Sequence, residues 1–194
     1  MLDHVNAEYF VLLDEDFLLD NKTDLETGLL LLKQNNLDII GGYFRTNSTV
    51  YHPWDYVKVL IRDIFRLEER SNYIGSLTMS HEDRILYADL TTNRFPDFSL
   101  TDITHIFFIG KTKVIREQNR WDDELKLHGH LAFFLNAKQN RLKVGFTNKM
   151  SVQHRPIRSK KYRSFRNRDF YPLFMKKNNI KNCREKRWGL KADH

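Results

Sequence analysis

The amino-acid sequence predicts an α/β fold, an open and mostly parallel sheet flanked by helices with some antiparallel additions. Three observations carry that expectation. Tyr9-Phe10-Val11-Leu12-Leu13 is a near-continuous apolar run, as a strand buried on both faces requires. Thr23 followed by Glu26 has capping-box spacing and Leu25, Leu29 and Leu32 recur at helical spacing, so residues 24–35 are expected to be a helix leaving through Asn35-Asn36. Leu37-Asp38-Ile39-Ile40 then opens a second strand, bulged or ended by Gly41-Gly42. Strand, helix, strand is a right-handed crossover unit, and such units build parallel sheets.

The remaining elements follow in order. Asp55 to Glu69 carries Val57, Leu60, Ile61, Ile64 and Phe65 at helical spacing and is expected as a helix, although alternation after Tyr56 also suits a strand. Two short strands are expected on either side of a polar turn at Ser80 to Asp83. A strand over Ile103 to Ile109, a helix from Lys111 to Gln118, an acid-rich loop and a helix over about residues 128–138 come next. Arg141 to Phe146 and Met150 to Pro156 read as two closing strands. Residues 1–156 are thus expected to form the α/β domain, and 157–194 a basic carboxyl-terminal tail.

A chain of 194 residues is one ordinary domain with a real core. Its 41% hydrophobic and 13% aromatic content excludes a disordered composition. The net charge of +7 is concentrated after Arg155, where many Lys and Arg stand against three acids. A basic tail with interleaved Tyr, Phe and Trp suits RNA or DNA, anionic membrane headgroups or a diphosphate. The reading that asks least of it is a solvated, partly disordered tail. Cys183 is the only cysteine, which excludes an internal disulfide framework and a multi-cysteine zinc site. No run of about 18 apolar residues signals a membrane span, and the first residues lack a basic-then-apolar leader pattern. Asn21-Lys22-Thr23 and Asn47-Ser48-Thr49 are glycosylation sequons that matter only in the secretory lumen.

The chemistry-bearing residues gather where the first strand should end. Asp14-Glu15-Asp16 interrupts an apolar stretch that resumes at once with Phe17-Leu18-Leu19. Acids at the carboxyl end of such a strand face the crevice where open α/β sheets bind their ligands, although a solvated turn with Asp as turn former accounts for them equally well. Two carboxylates at i and i+2 can hold a hard divalent cation that bridges diphosphate oxygens. His154 ends another expected strand, where an imidazole can complete the shell of manganese or remain a capping residue.

The blocks FVLLDEDF, DIIGGYFR, TDITHIFFIGKTKVIREQNRWDDELKLHGHLAFFL and VGFTNKMSVQH resemble the catalytic half of glycosyltransferases with the GT-A fold, and most resemble the β1,4-N-acetylgalactosaminyltransferases that extend gangliosides and related glycans. The resemblance covers about residues 7–155. It implies that Asp14, Asp16 and His154 hold Mn2+ (or Mg2+), that the donor is a UDP-sugar, and that Gly41 and Gly42 approach the donor sugar. The acceptor it implies is a hydroxyl of a glycan, glycolipid or glycoprotein. The earlier portion of the fold, which builds the nucleoside pocket, is expected to be missing from this chain. A Golgi-lumen location is implied for a longer anchored protein, and a cytosolic one for the chain as given.

Two positions depart from the family pattern. Ala132 stands where the family has the acid that deprotonates the acceptor, and Ile106 replaces an asparagine before the Phe-Phe pair. The acids Asp122-Asp123-Glu124 and the imidazoles His128 and His130 are the candidate replacement bases, His130 first and Asp122 next, although a helix-surface histidine and a loop-capping acid are the plainer readings of those two. The transfer would be an inverting displacement in which Arg155 or Arg158 shares the diphosphate charge. A glycosyltransferase-like binding or regulatory protein is the alternative, and a nucleic-acid-binding protein driven by the tail is a third reading.

Overall fold

The computed structural model describes residues 2–46, 73–91, 95–155 and 170–188. The helix expected over Asp55 to Glu69, the sequon at Asn47, and Arg158 lie outside them. The main sheet contains β1 (Tyr9–Leu12), β2 (Phe17–Leu18), β3 (Ile39–Thr46), β6 (Ser99–Thr101), β7 (Phe108–Lys111) and β8 (Val144–His154). Its order is β1-β7-β3-β8-β2, with β6 also on β8. A second, three-stranded sheet runs β4 (Ile74–Ser80), β5 (Ile85–Thr91), β9 (Asn182–Trp188). The helices are α1 (Leu25–Gln34), α2 (Thr112–Gln118), α3 (Gly129–Gln139) and α4 (Tyr171–Lys177).

The α/β class and the flanking helices are as expected, while the strand directions are more mixed. β3 pairs parallel with β8, but β7 is inserted antiparallel between β1 and β3. β1, β3 and β8 therefore run one way as the crossover pattern requires, and β7, β2 and β6 run against them. The antiparallel members come from segments that hairpin logic or a crossover cannot predict, because their partners are distant in sequence.

Burial explains why the strands read as continuous apolar runs. Ile39 and Phe108 point into a core shared with Phe133 and Phe134 of α3, while Ile40, Phe107 and Ile109 point into a second core with Leu32, Met150 and Val152. Successive side chains serve opposite faces, and both faces of β3 and β7 are covered, whereas β1, expected to be buried on both faces, is an edge strand with no buried residue and Val11 exposed.

Local hydrogen bonds set the entry of α1 and the exits of three of the four helices. Asp24 caps α1, accepting from Thr27 N at 2.8 Å and from Thr27 Oγ1 at 2.6 Å. The cap is one residue later than the Thr23/Glu26 box, because Thr23 Oγ1 instead accepts from Asp20 N at 3.0 Å. At the exits of α1, α3 and α4, residues Asn36, Arg141 and Asn179 have φ of 48°, 58° and 53°. Each exit has the Schellman pair of bonds, as in Leu37 N to Leu32 O at 2.9 Å and Asn36 N to Lys33 O at 3.1 Å.

Three further expectations are corrected. The strand over Ile103 to Ile109 is reduced to Phe108–Lys111, with Ile103 making an isolated bridge to Gly75. The two closing strands are one, β8, whose register with β3 jumps from Gly41 opposite Phe146 to Tyr43 opposite Ser151. The described part of the expected tail is folded: β9 pairs in parallel with β5, and Phe174 of α4 is fully buried in the first core. Its Lys and Arg obscured an apolar face that buries Phe174 and Ile180. No helix among the described residues is long and apolar enough to cross a membrane.

Candidate active site

The chain leaves β1 in a tight turn, with Phe17 N donating to Asp14 O at 3.1 Å. Asp14 and Asp16 go separate ways. β2 runs antiparallel to the end of β8, setting Phe17 opposite His154, and Arg155 N donates to Asp16 O at 2.8 Å. This register brings Asp16 Oδ2 to 3.1 Å from His154 Nε2, across 138 residues of sequence. Both side chains are largely enclosed, at 12% and 21% exposure. The rings of Phe17 and Phe44 meet the imidazole edge-on at 5.3 and 5.1 Å and fix its orientation. With the carboxylate facing Nε2, Nδ1 is left sealed from solvent without a hydrogen-bond partner among the described residues.

Asp14 instead lines a cavity of about 470 Å³. Phe10, Phe133 and Trp121 give this cavity an aromatic wall, and Arg116, Arg120 and Asp123 give it polar groups. Ile106 also lines it, so the departure from asparagine makes that wall apolar. Arg116 donates to the carbonyls of Leu2 and Val5, and Arg120 lies 3.5 Å from Asp3. The single 3-10 turn Leu2–His4 thereby sits beside the cavity's basic side.

The expected metal donors are only partly assembled. Among the described residues no group of three or more His, Cys, Asp or Glu side chains is arranged to hold a metal ion. Asp16 and His154 offer one oxygen and one nitrogen face to face, a pair that fits a divalent ion which keeps several water or phosphate ligands. Asp14 does not complete a three-donor shell with them.

The expected bases are engaged elsewhere. His130, in the first turn of α3, places Nδ1 2.7 Å from Tyr73 Oη and sits between the rings of Tyr73 and Phe134. Burial lowers its pKa to about 4, so the ring is neutral at pH 7, and it is not among the residues lining the cavity. Tyr73 N donates to Nε2 of His105, a buried imidazole whose pKa is pushed well below the usual value by burial and by His130. Asp122 accepts from Glu124 N at 3.0 Å and from Lys177 Nζ at 2.7 Å. The Lys177 contact holds its carboxyl below the usual range.

Gly41 and Gly42 are required by the protein's own packing. A Cβ on Gly41 would stand 2.0 Å from Thr104 Oγ1, and one on Gly42 would stand 2.5 Å from Met150 O and 2.6 Å from the Phe107 ring. Gly42 lies at the register jump and its N donates to Phe107 O at 2.9 Å. Arg155 is exposed and meets the site through its backbone, and Ala132 is buried in α3.

Sequence reasoning missed one group and ranked another too low. Arg45 Nη2 donates to both oxygens of Asp20 at 2.6 and 2.8 Å and its Nε donates to Ser151 Oγ at 3.1 Å, locking the loop after β2 onto β8. Neither partner is local, and nothing in the sequence marks the pairing. Asp123 lines the cavity while its neighbour Asp122 does not. A three-acid run gives no sign of which member turns inward.

The chain is similar to glycosyltransferases. It is 28% identical over 153 residues to beta-1,4 N-acetylgalactosaminyltransferase 1 of Homo sapiens, covering 79% of this chain and 26% of that protein. The corresponding proteins of Rattus norvegicus and Mus musculus are each 26% identical over 153 residues, with the same coverage. This chain therefore spans about a quarter of the length of the curated relatives it matches. No family model matches it.

Proposed function

We propose that the chain carries the sugar-transfer portion of a glycosyltransferase, moving a sugar, N-acetylhexosamine in our reading, from a UDP-sugar to a glycan hydroxyl of a lipid or protein acceptor. The observation that carries this reading is the β1 turn: it aims one carboxylate at His154 and the other into an amphipathic cavity. Aromatic rings beside carboxylates and guanidinium groups suit a pyranose, whose apolar face stacks while its hydroxyls pair.

Asp16 and His154 would hold Mn2+ or Mg2+, with Asp14 two residues before as the remaining carboxylate of the D-x-D pattern. A bound divalent ion supplies charge stabilisation to a departing diphosphate. The protein's own residues do the rest. Trp121 and Phe133 place the sugar, and the acceptor oxygen attacks the anomeric carbon as its bond to the diphosphate breaks. The acceptor's proton passes to a carboxylate of the cavity wall, for which Asp123 is better placed than His130 or Asp122. The exposed sequon at Asn21 agrees with a lumenal, Golgi-type location.

The burial of Ala132 and the engagement of His130 and Asp122 favour a second reading, a glycosyltransferase-like protein that binds the nucleotide without transferring sugar. One experiment separates the two. Manganese-dependent thermal stabilisation by UDP, absent in Asp14→Ala/Asp16→Ala, is expected under both readings. Release of UDP from UDP-N-acetylgalactosamine in the presence of a glycan acceptor is expected only under the first. Full UDP release by the double variant would reject the proposed site.

A further inference from the structure

The loop that lines the cavity is gripped from outside by the carboxyl-terminal helix. Lys177 Nζ lies 2.7 Å from Asp122 Oδ2 and 2.7 Å from Glu124 Oε2, while Asp123, between them in sequence, lines the cavity with Trp121. Behind this fork, Phe174 stacks on His128 at 6.1 Å with the planes 27° apart, and Tyr171 meets the same imidazole at 5.5 Å. Leu125, in the middle of the loop, is buried in the same core as Phe174.

The loop has little regular structure to fix its own shape. Asp122 starts a 3-10 segment over Asp123–His128 that is broken at Lys126, where φ is 45°. Its cavity end is set by close packing: a Cβ on Gly129 would stand 2.9 Å from Trp121 Nε1, and the indole lies 5.2 Å from the Phe133 ring. Its acidic side is held by Lys177. Lys177 draws the Asp122 and Glu124 carboxylates to one side of the segment, so the residue between them is directed away from the cation.

We propose that Lys177 is a positioning residue for the cavity: its fork to Asp122 and Glu124 turns Asp123 and Trp121 inward, making the carboxyl-terminal helix part of the sugar-binding site. The ligand assignment rests on the glycosyltransferase reading, whereas the grip on the loop does not.

The test uses the full chain with Trp54→Phe and Trp188→Phe, so that Trp121 is the only indole. Acrylamide quenching reads the loop without any ligand. Lys177→Ala is expected to raise the quenching constant about twofold by letting the loop open locally, and Lys177→Arg to restore it. Should Lys177→Ala fail to fold, Asp122→Asn/Glu124→Gln removes the same contact from the loop side and is read in the same way. Unchanged quenching in whichever variant folds overturns the proposal. Titration with UDP-N-acetylgalactosamine, followed by Trp121 emission, is expected to show affinity weakened about tenfold in Lys177→Ala and recovered in Lys177→Arg. Raised quenching with unchanged affinity overturns the positioning role. Failure of the unaltered Lys177 chain to bind the donor counts against the sugar-transfer reading alone, because the quenching arm still decides whether Lys177 holds the loop.

Discussion

Gly41→Ala decides whether the paired glycines of β3 serve the interior or a ligand. An alanine Cβ would stand 2.0 Å from Thr104 Oγ1, 2.4 Å from its Cγ2 and 2.7 Å from its Cβ. Ordinary carbon contacts lie near 3.5–4 Å, and Thr104 is fully buried, so its side chain has no solvent to swing into. Overpacking of this kind destabilises by about 1–3 kcal/mol. Thr104→Ala removes the two nearest atoms. It forfeits about 1 kcal/mol of methyl burial, but also deletes a sealed hydroxyl with no partner among the described residues, which offsets about 1–3 kcal/mol. Thr104→Ala alone is therefore expected to be near neutral. In the double variant the loss from Gly41→Ala shrinks, with a coupling of about 1 kcal/mol, and is not abolished because the Cβ of residue 104 remains 2.7 Å away. Urea unfolding measures this as midpoint shifts at constant slope. An unchanged midpoint in Gly41→Ala, together with weakened donor binding, would refute the packing argument and return the glycine to the ligand.

Phe174→Ala empties a fully buried site in the shared core and is expected to destabilise by about 3–5 kcal/mol; a loss under about 1 kcal/mol in calorimetry or urea would mean that α4 is not docked. The half-buried, neutral His130 predicts a specific acid limb. Its pKa of about 4 lies below the 6.5 of the unfolded chain, so the unfolded state takes up the proton first as pH falls. The contribution is fully present above about pH 6.5 and is lost progressively down to about pH 4, amounting to at most about 3 kcal/mol. His130→Gln is expected to flatten stability against pH across that window, with a residual slope from His105. An unaltered slope in the variant would place the acid sensitivity elsewhere.

What the sequence disclosed depended on how local each cause was. Leu25–Gln34 and Ile39–Thr46 were legible because helical spacing and burial on two faces are written in consecutive residues, whereas the apolar run Tyr9–Leu12 disclosed a strand but not its place, an edge position with half-buried residues and Val11 39% exposed. The antiparallel insertion of β7 was not, since Phe108 to Lys111 reads the same whichever way its neighbours run. The β8 irregularity was half legible: the interruption after Phe146 read as a break between two strands, while the structure absorbs it as a register jump against Gly42. At the site, the acids at the end of β1 were visible as a polar interruption of an apolar run. Their division between His154 and the cavity was not, because it depends on β2 pairing with a strand more than 130 residues away.

That division bears on any chemistry at this end of the sheet. The turn at Asp14 to Phe17 is held at both ends, by the Phe17 N to Asp14 O bond and by Arg155 N on Asp16 O. Asp16 is also held through His154, whose ring is wedged between Phe17 and Phe44. The two carboxylates are consequently placed on one turn, one supported by β8 and the other lining the cavity. A ligand spanning both would feel the sheet through Asp16 and the Trp121 loop through Asp123. Precision at Asp16 is set by strand pairing between distant segments, and precision at Asp123 by a lysine on the carboxyl-terminal helix. The two halves of the site therefore depend on different parts of the fold, and loosening one by mutation should leave the other in place.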